Sequence, residues 1–173
     1  PGGGQPLNAD IPAGAGIVVI YDNQKPVTAI TLPNAAAHIS MANLTGTAYD
    51  NVGIVEARFT AYLPGVGKYY DPSANPVWVT GAEENAPWLA AQATIYQTSA
   101  AWTYNIQNST WSTGYTYRVR ARAKDISGNY DTVYSTATFI YDTEAPVSTV
   151  TAPSDGLHTN LVLTDLSGTS LDF

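Results

Sequence analysis

Tyr115, Tyr117, Val119, Ala121 and Ala123 alternate with Thr116, Arg118, Arg120, Arg122 and Lys124. That two-residue period predicts a long strand with one dry face and one wet face. Asp125, Ser127, Gly128 and Asn129 follow with turn chemistry, so a hairpin is expected before alternation resumes over 132–141. Val55, Ala57, Phe59 and Ala61 alternate in the same way with Glu56, Arg58, Thr60 and Tyr62. Shorter strands are predicted at 17–21, 27–32, 42–49 and 101–106, punctuated by Pro33-Asn34, by Asp50-Asn51 with Gly53 nearby, and by Pro64-Gly65. Between 64 and 100 the period is poor and prolines interrupt short aromatic runs, which suggests edge strands or a long excursion. With about seven strands and no helical period, the expected fold is all-β, an antiparallel sandwich.

A repeat is hidden in this order. IYDNQKPVTAITLP from Ile20 aligns with IYDTEAPVSTVTAP from Ile140, and His38 falls on His158. With a two-residue insertion, Leu44-Thr45-Gly46-Thr47 falls on Leu166-Ser167-Gly168-Thr169, and Asp50 on Asp172. A period of about one domain implies a stacked array. Residues 23–142 form the complete unit, 1–22 resemble the last strand of a preceding unit, and 143–173 resemble a linker with the first two strands of a following one.

Composition narrows the partners. The net charge is −7 with 12% charged residues, which argues against nucleic acid. The run from Ile17 to Tyr21 is too short to span a bilayer, and the Gly/Pro-rich start lacks a signal peptide's basic region, so the chain reads as mature material. The absence of Cys excludes disulfides and thiolate chemistry.

Several motifs in order, LTGTAYDNVGIVEARF, WTYNI, YTYRVRARAKDISGN and FIYDTEAPVSTVTAP, resemble the tandem bacterial Ig-like modules of large surface proteins. The resemblance covers most of 26–158 and implies an immunoglobulin-like sandwich with extended terminal strand segments, in an extracellular or cell-surface protein. In such a sandwich the incoming linker, the second-to-third strand loop and the last hairpin loop lie at one pole. Asp22, Asn23, Asp50, Asn51, Asp125, Asn129 and Asp131 are therefore expected to converge, with Asp22, Asp50, Asn51, Asp125 and Asn129 as candidate ligands of Ca²⁺ at an inter-domain pole. Ordinary Asx turns are the plainer reading of the same residues.

Two further candidates have bland counterparts. Arg118, Arg120, Arg122, Lys124 and Arg58 form a basic stripe that suits an anionic glycan or another subunit, or else a solvated face paired with Glu56 and Asp131. Tyr69, Tyr70, Trp78, Trp88 and Tyr96 lie on the excursion; Trp78 and Trp88 are the candidate glycan platform, and a small core of their own is the alternative. Trp102 and one of Tyr115 or Tyr117 read as core, the tyrosine as the corner residue that bonds backbone.

Nothing in the chain reads as catalytic: His38 and His158 sit after equivalent turns without a nucleophile motif, and Glu83-Glu84 is adjacent rather than opposed. The expected role is structural, a subunit or repeat of an extracellular filament, stalk or adhesin. Lone terminal strands cannot bury an apolar face, so Ile17, Val19 and Tyr21 at one end and Val147, Val150, Leu161 and Leu163 at the other are expected to dock on other copies or neighbouring repeats. The alternative is a glycan-binding accessory module of a secreted enzyme.

Overall fold

A computed structural model describes residues 21–153 and 165–172. Ile17, Val19, His158, Leu161 and Leu163 lie outside the described residues. In chain order the strands are β1 (Val27–Leu32), β2 (Ala37–His38), β3 (Asn43–Leu63), β4 (Lys68–Tyr70), β5 (Trp78–Thr80), β6 (Leu89–Ala90), β7 (Gln92–Ala93), β8 (Gln97–Asn105), β9 (Tyr115–Asp125), β10 (Ser135–Tyr141), β11 (Val147–Ala152) and β12 (Ser167–Leu171). Single 3₁₀ turns lie at Glu83–Asn85 and Asn108–Thr110. The fold is all-β, a sandwich folded from one curled sheet.

The two layers are joined through β3. Its first half runs between β1 and β8, and its second half pairs with β9, which carries β10 beyond it, and with β4, which carries β5. The sequence predicts two strands broken by a turn at Asp50-Asn51. Instead the chain stays extended and crosses from one layer to the other, because Asp50 Oδ1 accepts the N–H groups of Val52 and Gly53 at 2.9 and 3.0 Å where ladder bonds lapse. The pairing register jumps from Tyr49 to Ile54 at this crossing, and Gly53 holds φ 144°, a backbone state that favours glycine. Pairing is antiparallel except for β2, which runs parallel to β10 through Ile140↔Ala37 and Tyr141↔His38, so the sheet is mixed.

Alternation fills the space between the layers. Tyr117, Val119, Ala121 and Phe139 face Leu44, Trp102 and Ile106, with Met41 and Trp111 closing one end. A smaller cluster, Ala48, Ile54, Ala100 and Ala123, closes the end nearer the crossing. Tyr117 is the corner tyrosine: its hydroxyl accepts Ser112 N–H at 2.8 Å while its ring stacks on Phe139 and meets Trp111 edge-on. In the excursion, β4 and β5 extend the second layer while β6 and β7 lie against β3 and β8.

Candidate cation site at the linker pole

A carboxylate interrupts the dry face of β3 at the crossing and another closes that of β9. On β3, Leu44, Gly46 and Ala48 are buried in phase with Asp50; on β9, Ala121 and Ala123 are buried in phase with Asp125. Asp50 is 2% exposed and Asp125 fully enclosed. Asp22, in the segment leading to β1, joins them, and one carboxylate oxygen from each of the three lies within 4.8 Å of the others. Like charges this close repel, by roughly 3 kcal/mol per pair at an effective dielectric near 20.

Hydrogen bonds hold the three in place. Asp125 Oδ1 accepts Asn129 N–H and Asp125 Oδ2 accepts the Asn129 amide, both at 2.7 Å. That amide also donates to Gln24 O at 3.1 Å, strapping the linker to the β9–β10 turn. Asp22 Oδ1 accepts Gln24 N–H at 3.0 Å and the Asn51 amide at 3.4 Å. Asp22 Oδ2 and Asp50 Oδ2 are buried with no hydrogen-bond partner. Burying an unsatisfied carboxylate oxygen is costly, and hard anionic oxygens from three separate segments are the ligand set that suits Ca²⁺.

The five residues expected from the sequence thus come together, in two roles. Asp22, Asp50 and Asp125 present oxygens, whereas Asn51 and Asn129 point amide N–H groups at those carboxylates and act as braces in this geometry. Asn23 is exposed. Asp131 is elsewhere: its Oδ1 accepts Ala123 N–H at 3.0 Å, and burial pushes its carboxyl above the usual range.

The basic stripe is largely paired within the chain. Arg58 sits opposite Arg122 in register and pairs with Glu56. Arg118 and Arg120 converge on Glu83 Oε2 at 2.7 and 3.0 Å, and the Arg122 guanidinium lies 4.1 Å from the Trp88 ring centre and 4.5 Å from that of Tyr130. Asp131 takes no part in these pairs, because its carboxylate turns inward to Ala123 N–H. Glu83 was visible in the sequence only as half of an adjacent acidic pair.

The aromatic candidates separate. Trp78 is half-buried: it donates its indole N–H to Thr110 O at 2.7 Å and packs against Tyr70, Trp111 and Tyr117 at the margin of the core. Trp88 meets Tyr134 at 4.9 Å besides Arg122, beside a depression of about 180 Å³ that Glu83, Glu84 and Arg120 also line. His38 meets Phe139 edge-on, and its Nε2 accepts Ala35 N–H at 3.3 Å. Of the expected docking residues, Tyr21, Val147 and Val150 are exposed.

No family model matches the chain, and no curated protein matches it.

Proposed function

We propose that the chain is a structural, non-enzymatic unit of an extracellular filament, stalk or adhesin, built from sandwich units of the tandem bacterial Ig-like kind. Calcium bound by Asp22, Asp50 and Asp125 fixes the linker to the body and so sets the angle between successive units. One observation carries this reading: the cluster takes its third carboxylate from the linker and the other two from the enclosed crossing within β3 and the enclosed end of β9. A cation there joins parts that move apart when a junction bends. Supporting it, Asp142 repeats the linker geometry at the far end of the unit, its Oδ1 accepting Glu144 N–H at 3.0 Å as Asp22 Oδ1 accepts that of Gln24.

The glycan-binding alternative has less behind it, since the half-buried Trp78 ring packs against the core and Trp88 is engaged by Arg122 and Tyr134. Intact mass under denaturing conditions together with electron microscopy of native material, with and without a chelator, tests the array. Fibres from chains near 18.3 kDa mean docked units, and rods from a mass several times larger mean a covalent array. Separate compact particles without end-to-end contact overturn the reading.

A further inference from the structure

The chain carries the first two strands of its sandwich unit and, in the separate two-stranded ribbon of β11 and β12, a second set. β1 pairs with β3 as Val27↔Tyr49, Thr28↔Ala48, Ala29↔Thr47, Ile30↔Gly46 and Leu32↔Thr45, slipping between Ile30 and Leu32. β11 pairs with β12 as Val147↔Leu171, Ser148↔Ser170, Thr149↔Thr169, Val150↔Gly168 and Ala152↔Ser167, slipping between Val150 and Ala152. The two ladders agree pair for pair, bulge included. Even a side-chain bond repeats, Thr31 Oγ1 to Thr45 Oγ1 at 2.9 Å and Thr151 Oγ1 to Ser167 Oγ at 3.1 Å.

They differ in what covers them. In the complete unit the other edge of β3 is taken by β8, with Gly46 opposite Trp102 and Ala48 opposite Ala100. A Cβ at Gly46 would run into the Trp102 indole and the Ala29 carbonyl, so the glycine is the seat of that ring. Gly168 is the equivalent seat, with Thr149 O 2.7 Å from where its Cβ would stand, but no third strand joins β11 and β12 among the described residues. Ser148, Val150, Leu166, Gly168 and Ser170 instead line an open slot of about 390 Å³. Val150 is 64% exposed and Leu166 76%, where Leu44, the counterpart of Leu166, is fully buried. A two-stranded ribbon with an exposed apolar face is marginal alone, and a third strand supplies both ladder bonds and cover.

We infer that the outer edge of β12 is an acceptor for a β8-type strand of a further sandwich unit, running antiparallel to β12 and seating a tryptophan-sized ring over Gly168. The occupant is defined by what β8 presents to β3: an aromatic residue opposite the glycine and a small residue opposite Ser170, in place of the Trp102 and Ala100 pair. This rests on the array reading above, because the strand comes from another unit of the same kind.

The test adds a peptide of the β8 sequence, Gln97–Asn105, to the full chain and follows amide hydrogen exchange. The inference expects slowed exchange over 166–171 with none over 43–49, where β8 already covers the edge. A peptide carrying Trp102→Ala should bind at least about tenfold more weakly, as loss of a central aromatic anchor does. Val150→Glu in the chain puts a charge on the open face at an exposed position and should abolish the protection while leaving thermal unfolding of the body unchanged. No protection from the native peptide, or equal protection from the alanine peptide, overturns the acceptor. If calcium still stabilises the chain in that case, the linker-site reading stands and only the acceptor falls.

Discussion

Asp125 and Asn129 close the β9–β10 turn on each other, both oxygens of the carboxylate accepting from the backbone and side chain of the same asparagine at 2.7 Å. Because the asparagine amide also reaches Gln24 O, this one pair couples the turn, the enclosed carboxylate and the linker. Asn129→Ala leaves Asp125 Oδ2 enclosed without its donor, a loss of about 1–3 kcal/mol. Urea unfolding should show that loss, and hydrogen exchange over 21–26 should speed up well before the body unfolds.

Asp131 predicts a pH effect of opposite sign to that of an ion-paired carboxylate. Burial raises its folded pKa above the unfolded value, so its contribution to stability is fully present below the unfolded carboxylate range and is lost as pH rises through the raised value. Asp131→Asn keeps an oxygen for Ala123 N–H without the charge. Its stability relative to the parent should therefore grow between pH 3 and pH 7, measured by urea unfolding at each pH; a difference that does not change with pH contradicts the assignment.

Tyr117→Phe keeps the ring that stacks on Phe139 and removes the hydroxyl that accepts Ser112 N–H. The expected cost is about 1–2 kcal/mol in denaturant unfolding with the slope unchanged. A neutral result would mean that the corner bond is replaced by water at no cost.

Gly46→Ala forces a methyl group against the Trp102 indole and the Ala29 carbonyl, neither of which has room to give. Overpacking of this kind costs about 1–3 kcal/mol, to be read from the unfolding midpoint. Trp102 fluorescence should shift with it.

Much of this architecture is legible in the sequence. Alternation over Tyr115–Asp125 fixes both the strand and its dry face, and the repeat of IYD…P with LxGT marks the two strands of the second ribbon. The convergence of Asp22, Asp50 and Asp125 is legible too, and a sharper signal is present: Asp50 and Asp125 stand in phase with buried alanines, where a carboxylate is out of place unless something engages it. The continuity of β3 is not legible, because Asp50-Asn51-Val52-Gly53 carries turn residues whose hydrogen bonds here replace the ladder across a crossing rather than reverse the chain. The tie of Arg118 and Arg120 to Glu83 depends on how the excursion folds back over β9, which no local period encodes. Trp78 was ambiguous for the same reason: an aromatic among prolines fits a surface platform or a core, and only the position of Thr110 O decides it.

The central claim is that Asp22, Asp50 and Asp125 bind calcium and thereby fix the linker, and the most direct measurement is the melting temperature in chelator and in about 10 mM Ca²⁺, for the native chain and for Asp50→Asn. For a site of the affinity usual in extracellular modules, on the order of 10⁻⁴–10⁻³ M, calcium should stabilise by about 1.4–2.7 kcal/mol and raise the midpoint by roughly 3–10 °C. Asp50→Asn removes one charge from the cluster and should lose most of that rise. Identical midpoints with and without calcium, or a rise that Asp50→Asn retains in full, would contradict the account.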